Sequence, residues 1–207
     1  MVEKKKGKSR DELDDKKIIK ELTERLKKLV KKDDYQPKIK IDSYVTVLKD
    51  VTAISNENKT EWKLVFGCAE QDIVVYLDDE KYRIKIPFEK VESIERARGS
   101  FPPNSKIKTH FPYVIIPYVI WEVKYGNLIT HEIALYSSYA QQIKDKFPDV
   151  MYNLLTIEPG RSYQALYRHG KNFDLILRCD EYNPEEISKK MYEVIRGHMK
   201  FHGILKS

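Results

Sequence analysis

Residues 72–94 read DIVVYLDDEKYRIKIPFEKVESI. Ile73 to Leu77 is a β-branched apolar run, Asp78-Asp79-Glu80 is a turn, and Tyr82, Ile84 and Ile86 alternate on a return strand. The spacing predicts a β-hairpin, after which Phe88 to Ile94 leads past Pro87 into a further strand or short turn. Three consecutive carboxylates lack the alternate-position spacing of a calcium loop, so residues 78–80 read as a solvated turn.

The alternating pattern extends outward from this hairpin. Towards the N-terminus, Ile39, Ile41, Val45 and Val47 fall on one face of a strand, and Lys40, Asp42, Tyr44 and Thr46 on the other. Ser55 to Lys59 reads as a loop, followed by a strand through Trp62, Leu64 and Phe66 that ends at Gly67. Towards the C-terminus, Tyr113 to Lys124 is the most apolar strand, and Pro117 within it predicts a bulge or an edge position. Tyr125-Gly126-Asn127 turns the chain, and Leu128 to Tyr136 is expected to return as a strand. On a strand, His131 and Glu132 would face opposite sides and form no acid–base pair.

Ser137 or Ser138 is expected to cap a helix through Ala140, Ile143 and Phe147. A second hairpin is predicted from Tyr163–Tyr167 and Phe173–Cys179. The last helix is marked by Asn183 as cap, Pro184 at its first position and Glu185 and Glu186 in its first turn. Its apolar face carries Ile187, Met191, Val194, Ile195 and Met199. His198 and His202 have a chelating spacing near its end but no third ligand in sequence, so they read as histidines stabilised by the helix dipole.

The first 34 residues differ from this body. Residues 1–32 hold 13 Lys/Arg and 7 Asp/Glu, an excess of six that equals the whole net charge of +6. Lys4, Lys5, Lys6 and Lys8 form a polar tail. Ser9 and Glu12 have capping-box spacing, and Leu13, Ile18, Ile19, Leu22, Leu26, Leu29 and Val30 form an apolar stripe on a helix ending near Lys32. That stripe packs either on its own domain or on a partner, as amphipathic helices do in groove recognition. The polar break Asp33 to Pro37 reads as a linker, so residues 1–32 are expected to be separable from the neutral body.

Charged residues make up 34% of the chain, above the roughly 25% usual for soluble proteins, and the apolar fraction of 41% suffices for a packed core. Abundant Lys, Glu and Tyr with few Gln give a thermophile-like surface composition. Cys68 and Cys179 belong to no CxxC or zinc spacing and read as buried small hydrophobes. No 18-residue apolar run exists and the N-terminus is charged, so a cytoplasmic protein is expected. The glycines are scattered, and no GxSxG, HExxH or nucleophile with an evident base is present. No cofactor, metal site or catalytic residue is therefore expected.

Several hairpins followed by one capping helix, with the cadence Ile-Pro-Phe-Glu-Lys-Val-Glu-Ser-Ile at 86–94, resemble the pleckstrin-homology and GRAM-like modules. The stretch around Arg83 to Ile94 is also similar to an archaeal CheF-like taxis adaptor family. The resemblance covers about half the chain. It implies an α+β fold with an antiparallel curled sheet or small barrel capped by a helix, flanked by N- and C-terminal helices. The expected organisation is a basic tail and helix at 1–34, the β-rich module at 38–155, and a hairpin plus helix at 156–207 on the same body. The hairpin and helix from Tyr163 to Met199 also fit the end of a second, partial copy.

The long segment Arg96 to Pro112 concentrates Arg96, Arg98, Lys106, Lys108 and His110, flanked by Phe101 and Phe111. Irregular loops of this length tend to be functional, and carboxylates or phosphates would suit it. The expected binding residues are Arg96, Arg98, Phe101, Lys106, Lys108 and His110, with Lys4, Lys5, Lys6 and Lys8. The first functional expectation is a non-catalytic adaptor that binds a protein through this loop and the N-terminal helix. The alternative is a nucleic-acid-associated protein using the lysine tail and the loop, with an anionic membrane surface as a third partner class.

Overall fold

The computed structural model describes residues 10–55, 62–79, 83–85, 91–96, 99–101, 113–158, 166 and 168–206. In chain order the elements are α1 (Arg10–Val30), β1 (Ile39–Ser55), β2 (Trp62–Leu77), β3 (Arg83–Lys85), β4 (Val91–Arg96) and β5 (Gly99–Phe101). They continue with β6 (Tyr113–Ile115), β7 (Pro117–Tyr125), α2 (Thr130–Lys146), β8 (Met151–Ile157), β9 (Leu175–Cys179) and α3 (Pro184–Phe201).

The fold is α+β, built on an open, mixed sheet. Its body runs β1–β2–β7–β8–β9, with β2 antiparallel to the other four; β4 and then β5 extend from the N-terminal half of β2. The β2–β4, β7–β8 and β8–β9 pairs are parallel, so the sheet is not the antiparallel curled barrel expected from the hairpins. Parallel neighbours need a crossover, and between β7 and β8 that crossover is α2.

Two apolar clusters lie on either side of the sheet. One joins Ile18, Ile19, Leu22 and Leu26 of α1 and Ile187, Met191, Ile195 and Met199 of α3 to Ile73, Val75, Val119 and Trp121. The other joins Ile133, Ala140 and Ile143 of α2 to Val74, Ile120, Tyr152 and Leu154. Leu22 and Leu26 have no exposed surface, so α1 is part of the core rather than a separable appendage. Asn183 caps α3 as its sequence predicts, accepting the Glu186 N–H at 3.2 Å.

Several local expectations are corrected. β3 does not return along β2; it pairs with β6. Residues 130–136 are helical, because Ile133, Ser137, Ala140 and Ile143 recur at helical steps and bury one face. The buried Ser137 breaks the apolar period that would have announced this helix. β9 is no hairpin return but lies parallel to β8. The segment from Arg96 is partly regular, since Arg96 pairs with Gly99 and Ile94 with Phe101. On β1, Ile39 and Ile41 enter the α1–α3 cluster while Val45 and Val47 enter the α2 cluster, so the four do not share one face. Among the described residues no helix is long and apolar enough to cross a membrane.

Candidate functional site

The sheet forks between β2 and β7. Their ladder runs from Tyr76↔Pro117 to Ile73↔Trp121 and stops there, with a bulge next to Pro117. Further back along the same edge of β2, β4 takes over, pairing from Leu64↔Val91 to Gly67↔Glu95. Asp72 and Glu122 are the first residues of the two strands beyond the last ladder pair, and they stand across the fork from each other.

A strand that loses its neighbour leaves every second backbone N–H without a partner. On β7 carboxylates take that place. Val123 N–H donates to Asp72 Oδ2 at 2.8 Å, and Tyr125 N–H donates to Asp15 Oδ1 of α1 at 3.0 Å. Asp72 and Asp15 therefore occupy positions where a further strand would supply carbonyls.

Residues two apart on a strand share a face, which brings Glu122 and Lys124 together. Lys124 Nζ is 2.9 Å from Glu122 Oε1 and 3.7 Å from Asp72 Oδ2. It also lies over the Tyr136 ring of α2, 4.4 Å from the centroid, where the ring face attracts a cation. Tyr152 donates to Gln71 Oε1. Gln71 is wholly buried, and its Nε2 has no hydrogen-bond partner among the described residues.

Burial and mutual repulsion set the protonation of this group. Desolvation, then the charge of Asp72, push the Glu122 carboxyl up to about 8, against the pull of Lys124. Desolvation also raises Asp72, against the pull of Lys124 and the Val123 N–H, which favour its charged form. Burial works against the Lys124 charge, but Glu122 and Asp72 outweigh it and hold the ammonium above its ordinary value. The two buried carboxyls therefore hold protons more tightly than free ones, beside a charged Lys124. Burial also pushes the Tyr44 hydroxyl up to about 12, helped by the negative charge of Asp72, Asp15 and Glu70.

Mg²⁺ is commonly held by one or two carboxylates and completes its octahedron with water and substrate phosphate oxygens. Among the described residues no group of three or more His, Cys, Asp or Glu side chains could hold a metal ion. A divalent ion at the fork would have Asp72 and Glu122 as its side-chain ligands, with the Lys124 ammonium placed for an anionic substrate oxygen. Asp72 and Lys124 keep 15% and 17% of their side-chain surface exposed, whereas Glu122 keeps 4%.

None of the residues expected from sequence belongs to this trio. Arg96 ends β4, which runs along β2 towards the fork, and Phe101 ends β5. Arg98, Lys106, Lys108, His110, Lys4, Lys5, Lys6 and Lys8 lie outside the described residues. His198 and His202 touch each other, ring centroids 4.5 Å apart, and His198 Nε2 lies 2.9 Å from the Asp149 carbonyl oxygen. Sequence reasoning passed over Asp72, Glu122 and Lys124. The available signal was the pair Glu122 and Lys124, charged at i and i+2 inside the most apolar strand of the chain. The chain matches no model of a known protein family and no curated protein.

Proposed function

We propose that the fork is a divalent-cation site that hydrolyses phosphodiester bonds in nucleic acid. The observation that carries this reading is the facing of Asp72 and Glu122, with the Lys124 ammonium 2.9 Å from the Glu122 oxygen and 3.7 Å from that of Asp72. A buried ion group of this kind is a poor device for stability, because desolvation offsets the attraction. Strongly perturbed carboxyls with a specific charge partner are instead a common mark of a working site.

The charge count favours a phosphodiester. With both carboxylates ionised, Lys124 charged and a divalent cation bound, the site carries a formal charge of +1, matched by the single negative charge of a phosphodiester. A divalent ion held by Asp72 and Glu122 would supply an activated water and neutralise charge on the phosphoryl oxygens. Hydrolysis joins the water oxygen to phosphorus and breaks one P–O ester bond, giving a phosphate monoester and an alcohol, with one water proton passing to the leaving oxygen and the other to solvent. Lys124 remains an ammonium and stabilises the charge that builds on the phosphoryl group.

Polymeric substrate is supported by charge outside the site. The chain's entire positive excess lies in residues 1–32, and α1 reaches the fork through Asp15. The backbone of β4 runs in the same direction and ends at Arg96. The test uses the full chain with single- and double-stranded DNA and RNA, and Mg²⁺ or Mn²⁺. Expected is cleavage that chelator abolishes and that Asp72→Asn, Glu122→Gln and Lys124→Ala each reduce by about 10²-fold or more, a scale usual for groups acting in the transition state. Absence of cation-dependent hydrolysis of all four polymers by the wild-type chain would discard the reading.

A non-catalytic adaptor that binds a protein through residues 96–112 and α1 is the second reading. It is supported by the basic composition of that segment.

A further inference from the structure

One side chain at the fork sits in a backbone conformation that residues other than glycine rarely adopt. Tyr44 has φ +57°, in the left-handed region where bulky side chains are uncommon. The register fixes its place: Ser43 pairs with Ile73 and Val45 with Gln71, so Tyr44 lies across from Asp72. It is also where β1 passes from one apolar cluster to the other, between Ile41 and Val45. Glycine or asparagine would make that bend with less strain.

The phenol ends among charges. Its ring packs with the α1–α3 cluster, while its hydroxyl is buried and has no hydrogen-bond partner among the described residues. The charged groups acting on it are Asp72, Asp15, Glu70 and Lys124. A buried hydroxyl without a partner is unfavourable, and strained residues of this kind concentrate at functional sites. Packing alone would be served by phenylalanine, and the bend alone by glycine; neither accounts for a hydroxyl at this point.

We propose that the Tyr44 hydroxyl is a positioning group for the cation at the fork, hydrogen-bonded to a water in the coordination shell of the ion that Asp72 and Glu122 hold. The inference rests on the hydrolytic reading. The phenol exchanges no proton with substrate; it fixes the direction of one cation-bound water, as outer-shell partners do at metal sites.

The experiment compares the full-length wild type with Tyr44→Phe and Tyr44→Asn, measuring Mn²⁺ binding by calorimetry, nucleic-acid cleavage and thermal melting. For Tyr44→Phe the expected result is a melting temperature close to wild type, Mn²⁺ binding weakened about tenfold or more, and a lower kcat with KM for the polymer unchanged. Tyr44→Asn, which tolerates the left-handed conformation, is expected to bind Mn²⁺ as weakly as Tyr44→Phe, although the strain at φ +57° is relieved. If wild type binds Mn²⁺ and cleaves, and both variants match it, the role of Tyr44 is overturned while the hydrolytic reading stands. If wild type neither binds Mn²⁺ nor cleaves, the hydrolytic reading falls and takes this inference with it.

Discussion

Asp72 Oδ2 accepts the Val123 backbone N–H at 2.8 Å, so the carboxylate closes the β2–β7 ladder in place of a main-chain carbonyl. The same hydrogen bond fixes Asp72 beside Glu122, and burial raises both carboxyls. That shift links folding to pH in a direction opposite to most carboxylates.

In its folded environment Glu122 holds a proton up to about 8, whereas an unfolded chain releases it near 4.5. Between those values the folded state binds more protons than the unfolded state, so stability falls as pH rises. Asp72, also raised, acts with the same sign. For the Glu122 proton the slope is at most about 1.4 kcal/mol per pH unit. Thermal melts in metal-free buffer should give a higher Tm near the acidic end of that window than near its basic end. Glu122→Gln should flatten the difference, and a flat wild-type profile would count against the buried acid pair.

Arg96 closes β4, which points along β2 to the fork, and Arg98 follows two positions later in the sequence. Arg96→Ala with Arg98→Ala should weaken binding of a nucleic-acid duplex or strand by about 1–3 kcal/mol, the scale of charge-assisted hydrogen bonds. The slope of log affinity against log salt should become shallower by roughly one for each phosphate that the protein no longer neutralises. Hydrolysis of a small activated phosphodiester, which has no flanking phosphates to offer these arginines, should be unchanged. Equal affinity and equal salt slope in the double variant would remove this segment from the substrate path.

The end of α1 is tied to α3 by a chain of hydrogen bonds. Tyr192 donates to Asp33 Oδ2 at 2.6 Å, Arg196 Nε donates to the same oxygen at 2.8 Å, and the Tyr35 and Tyr192 hydroxyls are 2.9 Å apart. Arg196 is well exposed, so its share is small, and the phenols carry most of the effect. Asp33→Ala should cost about 1–2 kcal/mol and lower Tm by about 2–4 °C for each kcal/mol. A double-mutant cycle with Tyr192→Phe should be non-additive. Strict additivity would mean that the clasp does not act as a unit.

How far the sequence discloses this molecule depends on whether local pattern and tertiary role agree. α3 is legible because its cap, its proline and its apolar stripe all point the same way. α2 is legible only from Ser137 onward; its first half is hidden because Ser137 occupies a core position. β7 is legible as a strand and β2 only as two pieces broken at Gly67, yet their partners are not: the turn at 78–80 promises a hairpin with residues 82–86, whereas β3 joins β6. The trio at the fork is hidden for a related reason. Asp72 and Glu122 are 50 residues apart in sequence and become neighbours only through the β2–β7 register, which no local spacing encodes. The charged pair inside an apolar strand is the one visible sign.

The distances along the chain also order events in time. During synthesis Asp15, Tyr44 and Asp72 leave the ribosome long before Glu122 and Lys124. β7 is then secured on its far side only when α2 and β8 have followed. A site distributed in this way does not exist in any fragment that ends before Lys124, so the activity proposed for it would be absent from a chain terminated that early.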